Sequence, residues 1–181
     1  MKDKLGRTPI TNVKDWPMTD ASQIPSTGGI IPGHKLRELG IIAPFEERTV
    51  FQGMTYGAGP AGYDIRVGED TILHTSGLTL AVSLEHFAML NWVLGVVHDK
   101  STWARSGLLV QNTIIEPGWH GYLTLEITRH RVGLKPLELI KLPKGTPIAQ
   151  VIFHVLSEPA EKPYGGKYQN QGNKPVGAKF E

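Results

Sequence analysis

The 181-residue chain contains no cysteine. This absence excludes disulfide bonds, thiolate catalysis and zinc sites that depend on cysteine ligands. No apolar run reaches the roughly 18 residues of a membrane-spanning helix, so no contact with a membrane is predicted. Residues 1–16 also lack the apolar core of a signal peptide. We therefore expect a soluble intracellular protein located in the cytoplasm.

The charge of the chain is also unremarkable. Charged residues make up 20% of the sequence, hydrophobic residues 40%, and the formal net charge is +2. A basic excess of this size does not predict binding to nucleic acid. The length is most simply that of one domain with its own hydrophobic core.

Short runs with alternating apolar and polar residues are present along most of the chain, and glycine and proline separate them. One short helix is predicted around Leu36 and Leu39, with Gly40 at its C-terminal end. Residues 57–62 are predicted to be a loop. The pattern predicts a mostly-β fold, either a barrel or a jelly roll. The predicted strands cover residues 41–43, 49–54, 63–67, 71–73, 78–84, 108–115, 122–128, 136–140 and 148–156.

Composition divides the chain into three parts. Residues 1–29 have no periodicity and are predicted to be an irregular arm, and residues 30–156 contain the predicted strands. Residues 157–181 have few aliphatic side chains but contain four lysines, four glycines and two tyrosines. Such a segment cannot form its own core. It is predicted to be flexible, either as a simple tail or as a lid that closes over a nucleotide.

Residues 98–126 contain most of the candidate reactive side chains. Pro117, Gly118 and Gly121 predict a turn that joins two strands as a hairpin. On the second strand, alternation places Glu126 on the polar face. We therefore expect Glu126 and Glu116, which lies in the turn, to reach the same cavity.

Five motifs occur in order along the chain and resemble those of the dCTP deaminase/dUTPase family, more closely its deaminase branch. The first, GYDIRVG, contains the family's aspartate, and the second, DKSTWARSGL, is similar to the deaminase pattern RSSLAR-x-GL. The match extends over most of the chain, from about Gly33 to Gly177. The other three motifs are TIIEPGWHGYLTLE at 113–126, KGTPIAQVIF at 144–153 and PYGGKYQNQG at 163–172.

This resemblance implies a distorted jelly roll or β-barrel of the dUTPase type, with a short N-terminal helix and a flexible C-terminal lid. It also implies a homotrimer with active sites between subunits. The expected ligand is a nucleotide of the dCTP or dUTP type. The expected cofactor is Mg²⁺, bound through the triphosphate and without a protein metal site, and no zinc is expected.

Site residues follow from the same resemblance. Glu126 matches the deaminating glutamate, and Ser101 and Arg105 match its catalytic partners. Gln150 resembles a phosphate-facing glutamine of the dUTPases, and Tyr164, Lys167 and Gln171 match lid residues. The substrate-binding set implied by the motifs is Lys100, Ser101, Thr102, Trp103, Ala104, Arg105, Glu116, Thr124, Leu125, Glu126, Gln150, Tyr164, Lys167 and Gln171.

Several features leave alternatives open. Lys100 stands where the family usually has arginine, and Glu116 stands where it usually has aspartate. The segment between Gly107 and Glu116 is shorter than in most deaminases and resembles the dUTPase spacing. A dCTP deaminase is the first hypothesis, with or without dUTP cleavage. The alternatives are a dUTP diphosphatase in which Glu116 activates water, and a non-catalytic nucleotide-binding regulator.

Overall fold

The computed structural model describes residues 28–75, 77–130 and 139–180. It confirms the mostly-β prediction. The helices are α1 (Gly33–Leu39) and α2 (Ser101–Ala104). The strands are β1 (Gly29–Ile30), β2 (Ile42–Ala43), β3 (Thr49–Phe51), β4 (Met54–Gly59), β5 (Gly62–Arg66), β6 (Thr71–Leu73), β7 (Leu78–Ala88), β8 (Val93–Asp99), β9 (Leu108–Val110), β10 (Ile114–Ile115), β11 (His120–Arg129), β12 (Ile140–Leu142) and β13 (Pro147–Val155).

Two antiparallel sheets form the body of the protein. The first has the strand order β10-β8-β13-β5-β4-β3, with β1 paired to β13. The second has the order β2-β7-β11-β9, and β6 and β12 form a separate pair. The arrangement is jelly-roll-like and, within the described residues, does not close into a barrel.

The hydrophobic core lies between the two sheets. Phe87 of β7 and Phe153 of β13 are fully buried, and their ring centroids are 6.4 Å apart. Trp92, Tyr63 and Leu125 are also buried in this core. Burial of these large side chains supplies the main driving force for folding.

A buried ion pair joins the sheets where they meet. Val67 forms a bridge with Ser83, and beside it Arg66 Nε donates to Glu85 Oε1 at 2.7 Å. The backbone N–H of Arg66 donates to the other oxygen of Glu85 at 2.9 Å. Arg66 also lies over the ring of Tyr56, 4.3 Å from its centroid. The pair is almost fully shielded from solvent, so each charge depends on the other for its stabilisation.

Several predicted elements match the structure. The helix is confirmed, and Gly40 ends it in the left-handed conformation with φ of 68°. The loop prediction for residues 57–62 is wrong, because β4 and β5 extend into it and leave only Pro60 and Ala61 as the turn. The sequence prediction missed β8. The predicted strand over 108–115 is divided between the sheets, with β9 paired to β11 and β10 paired to β8.

The two ends of the chain differ in what the structure describes. Most of the predicted arm lies outside the described residues, although Gly29 already belongs to β1. Residues 157–180 contain neither helix nor strand, and Gln171 forms a single bridge with Gly121. In residues 28–75, 77–130 and 139–180, neither helix has the length and apolar character needed to cross a membrane.

We predict that Arg66→Met destabilises the fold by about 3–5 kcal/mol, because it leaves the Glu85 charge buried without a partner. Urea unfolding at fixed protein concentration measures the effect. Lys141→Met is the matched control. It breaks an exposed pair with Asp70 and should cost less than about 1 kcal/mol.

The double substitution Arg66→Met, Glu85→Leu should recover most of the lost stability, since it removes both buried charges. A loss below about 1 kcal/mol for Arg66→Met alone would contradict the assigned role of the pair.

Candidate active site

Glu126 lies on the solvent-facing side of β11, where its neighbour across the sheet is Leu80 of β7. The side chain is half-buried, and its Oε2 atom is buried without a hydrogen-bond partner among the described residues. Burial raises the pKa of the Glu126 carboxyl above its usual range. A carboxylate in this position can accept a proton more readily than an exposed one can.

Glu126 lines a pocket of about 410 Å³, and this volume is typical of small-molecule sites. Glu116 is exposed and lines the same pocket, so the expectation that both carboxylates reach one cavity is confirmed. The remaining lining residues are Leu78, Leu80, Thr113, Ile114, Ile115, Trp119, Leu123, Thr124, Tyr164, Tyr168, Gln171, Val176 and Ala178. A larger cleft of about 570 Å³ beside β1 and α1 contains none of the predicted site residues.

The turn between β10 and β11 forms one side of the pocket. The backbone N–H of Trp119 donates to Glu116 O at 3.0 Å. Gly118 has a φ of 81°, and a Cβ atom at this position would lie 2.5 Å from Cβ of Pro163. Glycine is therefore required both for the backbone conformation and for the close approach of the C-terminal segment.

The C-terminal segment lies along the turn and the first half of β11. The indole of Trp119 donates to Tyr168 O at 2.8 Å, and the backbone of Tyr164 donates to Pro117 O at 2.8 Å. Gln171 Nε2 donates to the carbonyl of Tyr122 at 2.8 Å. These contacts fix the segment against the pocket.

Thr124 receives two further contacts from the segment. Its hydroxyl oxygen accepts from Gln171 Nε2 at 2.6 Å and from the backbone N–H of Val176 at 2.9 Å. Thr124 and Glu126 share one face of β11 because they are two residues apart. Attachment of the segment and the position of the buried carboxylate therefore depend on the same strand face.

Helix α2 carries a second group of candidate residues. Ser101, Thr102 and Arg105 are exposed, and Ala104 is half-buried. Trp103 anchors this helix, since its indole donates to Pro147 O at 2.7 Å. This hydrogen bond holds α2 against β13, so the backbone that carries the exposed side chains is fixed in position.

Lys100 begins this second group and has an acidic partner. Its Nζ lies 2.6 Å from Asp64 Oδ2 and 3.4 Å from the hydroxyl of Thr55. Gln150 stands directly across the sheet from Asp64, in register with it. Asp64 of the first motif thus orients Lys100, a contact between residues 36 positions apart along the chain.

The chain is similar to known proteins both in sequence and in fold. The family model described as dCTP deaminase-like matches residues 62–156. A dCTP deaminase of Gemmatimonas aurantiaca is 36% identical over 168 residues, which cover 75% of this chain and 89% of the relative. A dCTP deaminase of Thermococcus sibiricus is 32% identical over 155 residues, with coverage of 77% and 91%.

The chain belongs to the dCTP deaminase-like family. A solved structure of 2'-deoxycytidine 5'-triphosphate deaminase from Agrobacterium tumefaciens has a similar fold, with a TM-score of 0.57 and 18% identity. The alignment covers 71% of this chain and 48% of that one, so the present chain corresponds to about half its length.

The family's motif residues fall into two separate groups in this chain. Glu116, Thr124, Glu126, Tyr164 and Gln171 line one pocket. Leu125 points away from this pocket into the core, where it is 1% exposed, so only its backbone is available to a ligand. Lys167 is exposed in the C-terminal segment.

The second group lies on or beside α2 and does not line the pocket. It consists of Lys100, Ser101, Thr102, Trp103, Ala104, Arg105 and Gln150.

Motif reasoning missed several residues of the pocket in this family member. Leu78 and Leu80 were predicted to share a face of their strand, and that face turns out to form part of the pocket wall. The alternating pattern located the face but could not indicate what it contacts. Tyr168, Val176 and Ala178 reach the pocket because the C-terminal segment folds back on β11. The composition of residues 157–181 allowed a lid over the site, but it could not indicate that these three side chains would reach the pocket.

Within residues 28–75, 77–130 and 139–180, no group of three or more histidine, aspartate or glutamate side chains is arranged to hold a metal ion.

We predict that Thr124→Val loosens the C-terminal segment, because valine has a similar shape but accepts no hydrogen bond. Two lost hydrogen bonds, each worth about 1 kcal/mol, should speed proteolytic cleavage within residues 164–179 by about tenfold or more. Limited proteolysis followed by mass spectrometry locates and times the cuts.

Thr128→Val is the matched control for this measurement. Thr128 lies on the same face of β11, and its hydroxyl is bonded to Gln111 and not to the C-terminal segment. Equal cleavage rates in the two variants would contradict the role assigned to Thr124.

Proposed function

We propose that this chain is a dCTP deaminase, which hydrolyses the 4-amino group of the cytosine ring to give dUTP and ammonia. The observation that carries the proposal is the half-buried Glu126, whose Oε2 has no hydrogen-bond partner in the described part of the chain and whose pKa is raised by burial. Relatives with the name dCTP deaminase support the substrate class.

The chemistry requires a single group that moves protons. Glu126 would accept a proton from water while the water oxygen bonds to C4 of the ring. Glu126 would then deliver that proton to ring N3. It would then transfer the remaining hydroxyl proton to the amino group, so that ammonia leaves and the C4 carbonyl forms. A carboxyl group with a raised pKa is suited to both steps.

Zinc-dependent deaminases that activate water on a cysteine-bound metal use ligands that this chain does not contain. The proposed reaction is therefore zinc-independent. A guanidinium group donates hydrogen bonds and accepts none, so the contribution of Arg105 would be electrostatic, and Ser101 would orient water or a phosphate oxygen.

Mg²⁺ would arrive with the triphosphate. Glu116 and Glu126 both line the pocket, and their charges would repel an uncompensated triphosphate. Mg²⁺ bound to phosphate oxygens would reduce that repulsion.

A second activity, cleavage of dUTP to dUMP and pyrophosphate, is supported by one specific observation. Glu116 is exposed and lines the same pocket as Glu126. In this reaction Glu116 would activate water against the α-phosphate, and Glu126 would not be needed.

We also propose that the protein works as a homotrimer with sites formed between subunits. Among the described residues that line the pocket of Glu126, none is lysine or arginine, and none belongs to α2. Ser101 and Arg105 are exposed on a firmly anchored helix. A site that combines them with Glu126 would therefore draw on two copies of the chain.

We predict that Glu126→Gln lowers ammonia release from dCTP by about a hundredfold or more, because glutamine keeps the size of the side chain but cannot accept the proton. Nucleotide affinity should be retained. Glu116→Gln should instead abolish pyrophosphate release from dUTP and affect deamination less. Incubation with dCTP and with dUTP plus Mg²⁺, with ammonia and pyrophosphate measured separately, tests both statements.

The pH profile provides a control on this assignment. Since burial raises the pKa of Glu126 above the ordinary value of 4.5, the proton-accepting carboxylate is lost as pH falls through that raised pKa. The acid limb of kcat should therefore lie above pH 4.5. Parental rates of deamination by Glu126→Gln would show that the dUTP diphosphatase hypothesis is the better one.

We predict that an Arg105→Ala chain and a Glu126→Gln chain restore activity when they are co-expressed. If each site takes Arg105 from one subunit and Glu126 from another, about a quarter of all sites in randomly assembled trimers are intact, since each residue is present with a probability of one half. Ammonia release by the purified mixture measures this fraction. Activity no higher than the sum of the separate variants would contradict sites formed between subunits.

A further inference from the structure

The pocket that contains Glu126 has the wrong charge for a triphosphate. Two carboxylates line it, and its described lining includes no lysine or arginine. Three or four negative charges on a nucleotide need cationic partners nearby, especially where water is partly excluded. Additional cations are therefore expected at the rim of the pocket.

Two lysines of the C-terminal segment meet at that rim. The ammonium groups of Lys167 and Lys179 lie over the ring of Tyr168, at 5.8 and 5.4 Å from its centroid. Tyr168 lines the pocket, and so does Ala178, which directly precedes Lys179. The pair of lysines thus borders the one side of the pocket formed by the C-terminal segment.

Backbone contacts hold the two lysines in this arrangement. Lys179 Nζ donates to the carbonyl of Lys167 at 2.8 Å, and Lys167 Nζ donates to the carbonyl of Lys179. The backbone N–H of Lys179 also donates to the hydroxyl of Tyr168 at 2.9 Å. The two side chains are therefore positioned by each other's main chain and by one aromatic ring.

Both ammonium groups retain capacity for an anion. An ammonium has three N–H donors, and each of these lysines uses one on a carbonyl. Neither forms a salt bridge with a carboxylate in the part of the chain that the structure describes. Two like charges held over one ring repel each other, and an anion between them would relieve the repulsion.

We propose that Lys179 is a phosphate ligand of the nucleotide and acts together with Lys167. The inference rests on the proposed function and adds to it a residue outside the motifs that resemble the family. The two lysines and Tyr168 form a cationic clamp for the outer phosphates, while Glu126 faces the base. Affinity for a triphosphate should therefore depend on Lys179 more strongly than affinity for a monophosphate does.

Lys174 supplies a matched control in the same segment. It is also exposed, but its ammonium is paired with Glu69, and among the described residues only Lys167 and Lys179 have an ammonium over the ring of Tyr168. Loss of Lys174 removes the same charge from the same stretch of chain. It distinguishes a specific phosphate contact from a general effect of net charge.

The test measures equilibrium binding of dCTP and of dCMP, each with Mg²⁺, to the full chain carrying Glu126→Gln, so that the ligand is not consumed. Adding Lys179→Ala should weaken dCTP binding by about tenfold or more, as expected for the loss of a charge-assisted contact, and dCMP binding by less than about twofold. Lys179→Arg should retain most of the affinity. Lys174→Ala should leave both affinities unchanged within about twofold.

The proposal is overturned if Lys179→Ala binds dCTP as tightly as its parent does. It is also overturned if dCTP and dCMP lose affinity equally, or if Lys174→Ala costs as much as Lys179→Ala. A chain with native Glu126 that binds neither dCTP nor dUTP would remove the proposed function, and this inference with it. If the chain with native Glu126 binds dCTP and Lys179→Ala leaves the affinity for dCTP unchanged, this inference alone is wrong and the proposed function stands.

Discussion

The long antiparallel pairing of β7 with β11 is the constraint on which the rest of the site depends. It sets Glu126 opposite Leu80 and Thr128 opposite Leu78, so an ionisable group stands beside apolar neighbours at the edge of solvent. The opposite faces of both strands are buried in the core, which fixes the register. The low polarity around Glu126 is thus a consequence of how the core packs.

The same strand also receives the C-terminal segment, so one surface performs two tasks. Thr124 binds the segment, and Glu126, two residues further along the strand, faces the pocket. The segment supplies aromatic rings and lysines, whereas the strand and the turn before it supply one carboxylate each. Chemical groups of opposite charge therefore come from parts of the chain that are far apart in sequence. Glu126 is held by the sheet, and the lysines lie on a segment without regular structure.

Much of the fold could be predicted from the sequence because it is encoded locally. Alternation along β11 correctly placed Glu126 on the polar face, and Gly40 correctly marked the end of α1. The turn with Pro117 and Gly118 was recognised from its composition. These features depend on neighbours in sequence, which is why local patterns carry them.

Features that depend on distant contacts could not be predicted in this way. The strand β8 begins with the apolar run Val93–Val97, so its sequence shows no apolar–polar alternation, although burial does alternate along the strand. The division of residues 108–115 between two sheets is decided by which partners are available. The pairing of Lys100 with Asp64 joins two motifs that are separated along the chain. The meeting of Lys167 with Lys179 arises from the path of a segment that has no periodic pattern.

The alternation along β11 has a further consequence for how this strand can change over evolution. Leu125 is buried on the core face of β11, whereas Thr124 and Glu126 lie on the pocket face. Deletion of one residue after the irregularity at Tyr122 would turn each later side chain of the strand to the opposite face. A leucine would enter the pocket and a carboxylate would enter the core. Substitutions in the strand can alter the chemistry gradually, but changes in its length would destroy fold and site together.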